Sequence, residues 1–260
     1  MPTASDVITL SSDFGSPYPA AMKGVLLDNT AAARLVDVSH QFPRQNVRAA
    51  AFWLREILPW FPPAVHLVVV DPGVGTDRAA ISVRAGEHAL VGPDNGVLDP
   101  VARELADGEP VEVFEIAVDE PASSTFHGRD VFAPAAARVH EAGIDRFDEQ
   151  SDFTPVDEYA TIEFPTPTVE ADRARGEVLV VDGFGNVITN LPGRIIEARM
   201  GESIRVNGVF ARVARSYAEV DPGHRLVTIG SHGNVELAVN QGRGDDVFGV
   251  RTGNRITLTW

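Results

Sequence analysis

One run of the chain, Ala64-Val65-His66-Leu67-Val68-Val69-Val70, is almost wholly apolar without alternation and leads straight into Asp71-Pro72-Gly73-Val74-Gly75. A strand that is apolar on both faces has to be covered on both faces, which a sheet with one wet side cannot do. The run therefore predicts a central strand over 65–70. It ends at a turn in which proline fixes φ and glycine permits positive φ.

The flanking pattern agrees with that strand. Before it, β-rich runs at 7–10 and 35–38 bracket a segment of helical spacing at 19–29. An amphipathic helix is predicted over 46–60, with Val47, Ala50, Ala51, Leu54 and Leu58 at near-helical intervals. After it come a predicted hairpin (80–83 with 89–91), a helix (99–106), a strand (111–117) and a helix (131–142). Strands and helices in alternation predict an α/β domain with a mostly parallel central sheet. Residues 151–170 are then rich in Pro, Thr, Asp and Glu with little periodicity. Beyond them short strands are predicted at 177–182, 187–189, 203–206, 225–229, 235–239 and 255–260, which reads as an antiparallel, barrel-like β domain. The expected organisation is an α/β catalytic domain over 1–160, a linker over 161–171 and a β-barrel domain over 172–260.

Composition narrows the partners. With 260 residues, 44% of them apolar, the chain can bury a real core. Its apolar runs are far shorter than the ~20 residues of a membrane helix. Residues 1–12 lack a basic region followed by a signal core, so a soluble, cytoplasmic protein is expected, with no membrane partner. The absence of cysteine excludes disulfides and thiolate metal sites. A net charge of −15, from 37 acidic and 22 basic residues, argues against nucleic acid. Lys23 is the only lysine. Arginine in place of lysine on so acidic a chain suggests a halophilic, high-salt cytoplasm, in which a short Debye length screens self-repulsion. A GC-rich genome would also favour arginine.

Four glycine-bearing stretches place chemistry on turns: Ser12-Asp13-Phe14-Gly15, Asp71 to Gly75 followed by Arg78, Thr125-Phe126-His127-Gly128-Arg129-Asp130, and Asp182-Gly183-Phe184-Gly185-Asn186. Each adjoins a β-rich run, so the polar groups should lie at strand ends, where open α/β sheets bind ligands. None is a nucleotide fingerprint: the third glycine of a dinucleotide loop and the Gly-Lys-Ser/Thr of a phosphate loop are both missing. His127 should lie near the positive end of the helix predicted from 131, which favours a neutral imidazole able to accept a proton. Asp94-Asn95-Gly96 reads as a hairpin turn. Phe184 beside Asn186 offers a stacking face with a donor and an acceptor, as a purine pocket does. No HExxH, His/Cys pair or calcium loop occurs, so no metal is expected.

Taken in order, these motifs, with Gly92-Pro93-Asp94-Asn95-Gly96 and Asn234-Val235-Glu236-Leu237-Ala238-Val239-Asn240-Gln241-Gly242, resemble the S-adenosylmethionine hydroxide adenosyltransferases. That family shares a fold with the fluorinase and chlorinase enzymes, and the resemblance spans nearly the whole chain. It implies an N-terminal α/β domain, a C-terminal β-barrel and a homotrimer with active sites between subunits. It also implies hydrolysis of S-adenosylmethionine (SAM), in its (R)-sulfonium epimer, to adenosine and L-methionine, with SAM as substrate and no cofactor. The family's water-directing set maps to Asp71, Arg78 and His127. The ligand contacts it implies are Asp13 on the ribose diol, Phe14, Asn95, Asp182 on the methionine ammonium, Phe184, Asn186 on the adenine edge, Ser231, Glu236 and Val239. Ser231-His232-Gly233-Asn234 departs from the Ser-Ser/Arg-Gly-Tyr-like pattern of the family. His127 and Gly128 also stand where a halogenase carries tyrosine and a halide-contacting serine. The alternatives are a SAM-dependent halogenase of the same fold and a non-catalytic adenosine or SAM sensor, which would not need Asp71, Arg78 and His127 together.

Overall fold

Strand β1 (Val7–Ser12) runs through helix α1 (Tyr18–Asn29) to β2 (Arg34–Ser39), which pairs with it in parallel. The chain then crosses through α2 (Val47–Ile57) to β3 (Val65–Val69), parallel to β1 on its other side. The direction of winding therefore reverses between β1 and β3, and their carboxyl ends flank a topological switch point. Open α/β sheets place ligands there. In this computed structural model residues 6–118 and 122–260 are described.

Strands β4 (Ala80–Ala85) and β5 (His88–Pro93) form the expected hairpin, with β5 parallel to β3. Helix α3 (Asp99–Leu105), β6 (Glu112–Ile116), α4 (Ala133–Ala142) and β7 (Phe153–Val156) complete the unit. The sheet order is β2-β1-β3-β5-β4-β6-β7. Only β4 and β7 run against the common direction, so the sheet is mostly parallel. Helices α1 and α4 cover one face through Met22, Leu26, Ala133 and Ala136, while α2 and α3 cover the other through Ala50, Leu54, Val101 and Ala102. Residues Leu67 and Val69 enter the first layer, Val68 and Val70 the second. That double burial is why the run does not alternate.

Asn46 caps α2 by accepting from the Ala49 N–H at 3.0 Å, a contact worth about 1 kcal/mol. The helix predicted over 46–60 is broken into α2 and a 3₁₀ turn at Leu58–Trp60, because Pro59 has no N–H to continue the ladder. The helix predicted from 131 starts earlier, as a π-helical turn over Gly128–Phe132 that runs on into α4. Asp94-Asn95-Gly96 is not a hairpin turn but the connection from β5 to α3. The segment 151–170, read as aperiodic, carries β7, which pairs with β6 and buries Phe153.

The contact pattern divides the chain into two units, one ending at Ile162 and one spanning Glu163–Trp260. In the second, β8 (Thr168–Val169) lies against β9 (Arg173–Val181). There follow β10 (Val187–Pro192), β11 (Ser203–Val206), β12 (Val209–Val213), β13 (Arg225–Ile229), β14 (Asn234–Val239), α5 (Gly244–Phe248) and β15 (Arg255–Thr259). Strands β9-β10-β14-β13-β12-β11-β15 close on themselves as a seven-stranded barrel around Val178, Val187, Leu237 and Ile256. Its pairings are antiparallel except β12 with β13, which is parallel. Closure leaves the seven strands no open edge. Among the described residues no helix is long and apolar enough to cross a membrane.

Candidate active site

A cavity of about 940 Å³ opens beyond the carboxyl ends of β1 and β3 and is lined by Asp13 and Phe14 after β1, Asp71 and Val74 after β3, and Gln45 before α2. The segment before α4 closes it with Thr125, Phe126 and His127. Two loops meet here because Gly75, at φ +78°, has no Cβ. A Cβ there would stand 2.4 Å from the Ser124 carbonyl oxygen, so the approach of the 71–78 loop to the 123–130 segment requires glycine.

Arg78 joins those loops. Its Nε donates to Asp71 Oδ1 at 2.9 Å, and its Nη2 donates both to Asp71 Oδ2 and, at 3.0 Å, to His127 Nδ1. Nη1 is held by the Ala79 carbonyl at 3.0 Å, and the guanidinium lies over the Phe132 ring at 4.9 Å. The Asp71 and Arg78 side chains keep only 5% and 11% of their surface exposed. A guanidinium can only donate, so His127 Nδ1 is an acceptor here and a neutral ring carries its hydrogen on Nε2. His127 occupies the N-cap position of the π-helical turn. Gly128 follows it with no room for a side chain: a Cβ would come within 2.9 Å of Met22 Sδ and 3.2 Å of Val69 Cγ1.

The remaining positions in the first unit differ in kind. Asp13 faces the cavity and accepts from the Gln45 N–H at 2.6 Å. Phe14 packs edge-on to Tyr18 and Phe126, with ring centroids 6.1 and 6.2 Å away. Asn95 does not line the cavity. Its amide donates to the Val70 carbonyl at 2.9 Å and accepts from the Val97 N–H at 3.1 Å, which anchors the chain immediately before Asp71.

In the barrel unit a second polar chain forms. Asp182 Oδ1 accepts from the backbone N–H groups of Phe184 and Asn186 at 2.9 and 2.8 Å, and Oδ2 accepts from the Asn186 amide at 3.0 Å. The same amide lies 3.4 Å from the Tyr217 hydroxyl, which donates to Glu236 Oε1 at 2.5 Å. Burial, then the hydrogen bond to Glu236, push the Tyr217 phenol far above its ordinary range, so it stays a donor. His232 Nδ1 accepts from the Asn234 N–H, and its Nε2 is 3.6 Å from Glu236 Oε2. Phe184 stands 81% exposed on its turn, Ser231 is exposed, and Val239 is buried.

The sequence patterns of the SAM hydroxide adenosyltransferase N-terminal and C-terminal domains match residues 8–148 and 176–257. The chain belongs to the SAM hydroxide adenosyltransferase family. It is 41% identical over 261 residues to the (R)-S-adenosyl-L-methionine hydrolase of Salinispora tropica, covering 97% of both chains. It is 38% identical to the protein of that name from Thermus thermophilus, covering 95% of this chain and 97% of the relative. Among solved structures, an uncharacterized conserved protein from Thermotoga maritima superposes with a TM-score of 0.85 at 35% identity, over 97% of this chain and all of that one.

Within this family member, Tyr18, Gln45, Phe126 and Tyr217 are cavity or cluster residues that sequence reasoning passed over. Tyr18 and Phe126 contact each other edge-on at 5.6 Å, but they lie in chain segments more than a hundred residues apart, and no local period joins them. Tyr217 sits in a short 3₁₀ turn after β12, a strand whose Val209, Ala211 and Val213 alternate with Phe210 and Arg212 and could have signalled it.

Proposed function

We propose that this protein hydrolyses SAM to adenosine and L-methionine by attack of water on ribose C5′. The observation that carries this reading is the Arg78 bridge between Asp71 and His127 at the switch-point cavity. Methionine leaves a sulfonium as a neutral thioether: the C5′–S electron pair goes to sulfur, the O–C5′ bond forms, and one water proton has to be accepted. No acid is needed at the leaving group, so the protein's work is to hold a weak nucleophile in line and take its proton.

The tautomer set by Arg78 divides those tasks. Neutral His127 offers an N–H from Nε2, which holds the water oxygen, while one water hydrogen points to the Asp71 carboxylate. The attacking oxygen becomes strongly acidic as it bonds carbon. The Asp71 carboxylate then accepts that proton, and the Arg78 guanidinium favours the hydroxide-like charge. Asp13 accepts from the ribose diol; Asp182, Phe184 and Asn186 meet the adenine and methionine ends, with Glu236, Ser231 and Val239 as further contacts. SAM is the substrate and no cofactor takes part.

Water is favoured over halide because Gly128 excludes the serine of the halogenases unless Met22 and Val69 move. The (R)-sulfonium epimer is the expected substrate, being the one named in the Salinispora and Thermus relatives. The assembly read from the family resemblance is a homotrimer with shared sites, working in a salt-rich cytoplasm in keeping with the net charge of −15.

Three measurements test this. Each SAM epimer is incubated in isotopically labelled water with and without chloride; labelled adenosine is expected, and a 5′-halo nucleoside as main product would overturn the reading. Light scattering in high salt should give three times 27.9 kDa, and a fully active monomer would remove the shared site. Lowering salt to roughly 0.01 M, where charges repel across about 30 Å, should dissociate the oligomer and abolish turnover before the units unfold.

A further inference from the structure

Beside the main cavity a second, smaller one of about 500 Å³ is lined by Lys23, Asp37, His40 and the Gly15-Ser16-Pro17 segment. Between the two runs an unbroken side-chain chain. Lys23 Nζ donates to Asp37 Oδ2 at 2.6 Å, His40 Nε2 meets Asp37 Oδ1 at 3.0 Å, and His40 Nδ1 meets Ser12 Oγ at 2.7 Å. Burial alone would raise the Asp37 carboxyl, but hydrogen bonds from Lys23 and His40 hold it below its ordinary value. Asp37 therefore only accepts, His40 carries its hydrogen on Nε2, and in the neutral ring Nδ1 accepts from the Ser12 hydroxyl.

The order Ser-His-Asp invites a nucleophile reading, which the structure rejects. Ser12 is wholly buried, and the ring is turned so that Nδ1 rather than Nε2 meets the serine. What the chain does reach is the cavity loop. Ser12 adjoins Asp13 and Phe14, and the His40 carbonyl accepts from the Gly15 N–H at 2.9 Å. The Ser12 carbonyl accepts from Phe42 N–H, and Asp13 Oδ2 accepts from Gln45 N–H. His40 thus clamps the segment after β1 to the segment before α2 from both its side chain and its backbone.

We propose that His40, oriented by Asp37 and Lys23, is a positioning residue that sets the Asp13 carboxylate for the ribose diol by fixing Ser12. This rests on the reading of the cavity as a nucleoside site. Asp37 and Lys23 do not reach the cavity themselves; they set the direction of the ring.

The test compares binding of adenosine and 2′,3′-dideoxyadenosine by calorimetry, alongside kcat and KM for SAM. The wild type should prefer adenosine by roughly 10-fold or more, as expected for hydrogen bonds to a charged group. In His40→Ala that preference should fall to within about 2-fold, with KM raised and kcat changed by less than about 3-fold. His40→Asn, whose amide can replace Nδ1 toward Ser12, should recover more of the preference than His40→Gln. Ser12→Ala, which removes a single buried oxygen, should reproduce the loss even if His40→Ala folds poorly. Folded His40→Ala and Ser12→Ala that keep the full diol preference would overturn the proposal. A wild type without any diol preference would instead break the nucleoside reading on which it rests.

Discussion

The Asp71–Arg78–His127 chain of the α/β unit and the Asp182–Asn186–Tyr217–Glu236 chain of the barrel unit share a plan and differ in charge. Each starts from a carboxylate at a strand-end turn and runs through side-chain donors. In the first the central donor is a guanidinium, a permanent cation that bonds both partners. In the second the donors are an amide and a phenol, both neutral, between two carboxylates. Burying a cation beside a carboxylate is useful where charge develops during a reaction, because a fixed field needs no rearrangement at that moment. Neutral donors and acceptors suit recognition of a ligand edge. Under the proposed reaction, turnover would rest on the first chain and affinity on the second.

The strongest way to break that assignment is to remove the guanidinium. Arg78→Ala should lower kcat by about 10³-fold, the scale of losing a key electrostatic group, while adenosine binding stays within about 3-fold. Adding Asp71→Asn or His127→Ala to it should cost little more, as expected of three groups acting as one unit. A variant that keeps near-full turnover, measured by the rate of adenosine release, would make the bridge structural.

Asn186→Ala should do the reverse. Loss of an edge contact and of the turn it shares with Asp182 is expected to weaken adenosine binding by about 10- to 100-fold, with kcat at saturation nearly unchanged. Tyr217→Phe sharpens this further, since it deletes one oxygen and leaves the 6%-exposed Glu236 without that donor. Thermal or urea denaturation should show a loss of about 1–3 kcal/mol, the usual cost of a buried polar group left short of a partner. An unchanged midpoint would mean that the chain is not closed in solution.

The last test uses the opposite end of β3. His66, near its start, bonds Thr9 Oγ1 at 2.8 Å and His88 at 3.0 Å. Burial, then the neighbouring His88, lower it from 6.5 to about 3. Between those values the unfolded chain binds a proton that the folded one refuses, so stability should fall as pH drops from 6.5 towards 3, by at most about 1.4 kcal/mol per pH unit from this group. His66→Gln should flatten that part of the stability profile without moving the pH dependence of turnover. If both profiles move together, fold and site are not separable along this strand.

Much of this architecture is readable from local pattern. The non-alternating run ending at Asp71, the amphipathic helix beginning near residue 46, the alternation of strands and helices and the glycine turns each follow from short-range rules. Where reading failed, short-range rules were in conflict or silent. Asp94-Asn95-Gly96 has hairpin chemistry, yet the strand before it has its antiparallel partner already in β4, and the chain enters α3 instead. The segment 151–170 has no period because β7 buries Phe153 but leaves Thr154 and Pro155 exposed at the sheet edge.

Sequence by itself determined which residue types stand at the strand ends and that β3 is central. Tertiary structure alone decided which of them meet. Arg78 and His127 lie 49 residues apart, and Ser12 and His40 lie 28 apart. They touch because strands running in one direction bring their carboxyl ends to the same edge, and because β2 and β3 flank β1 on opposite sides. The side on which the chain crosses is set by the packing of whole helices on whole sheet faces. No period of two or 3.6 residues encodes it.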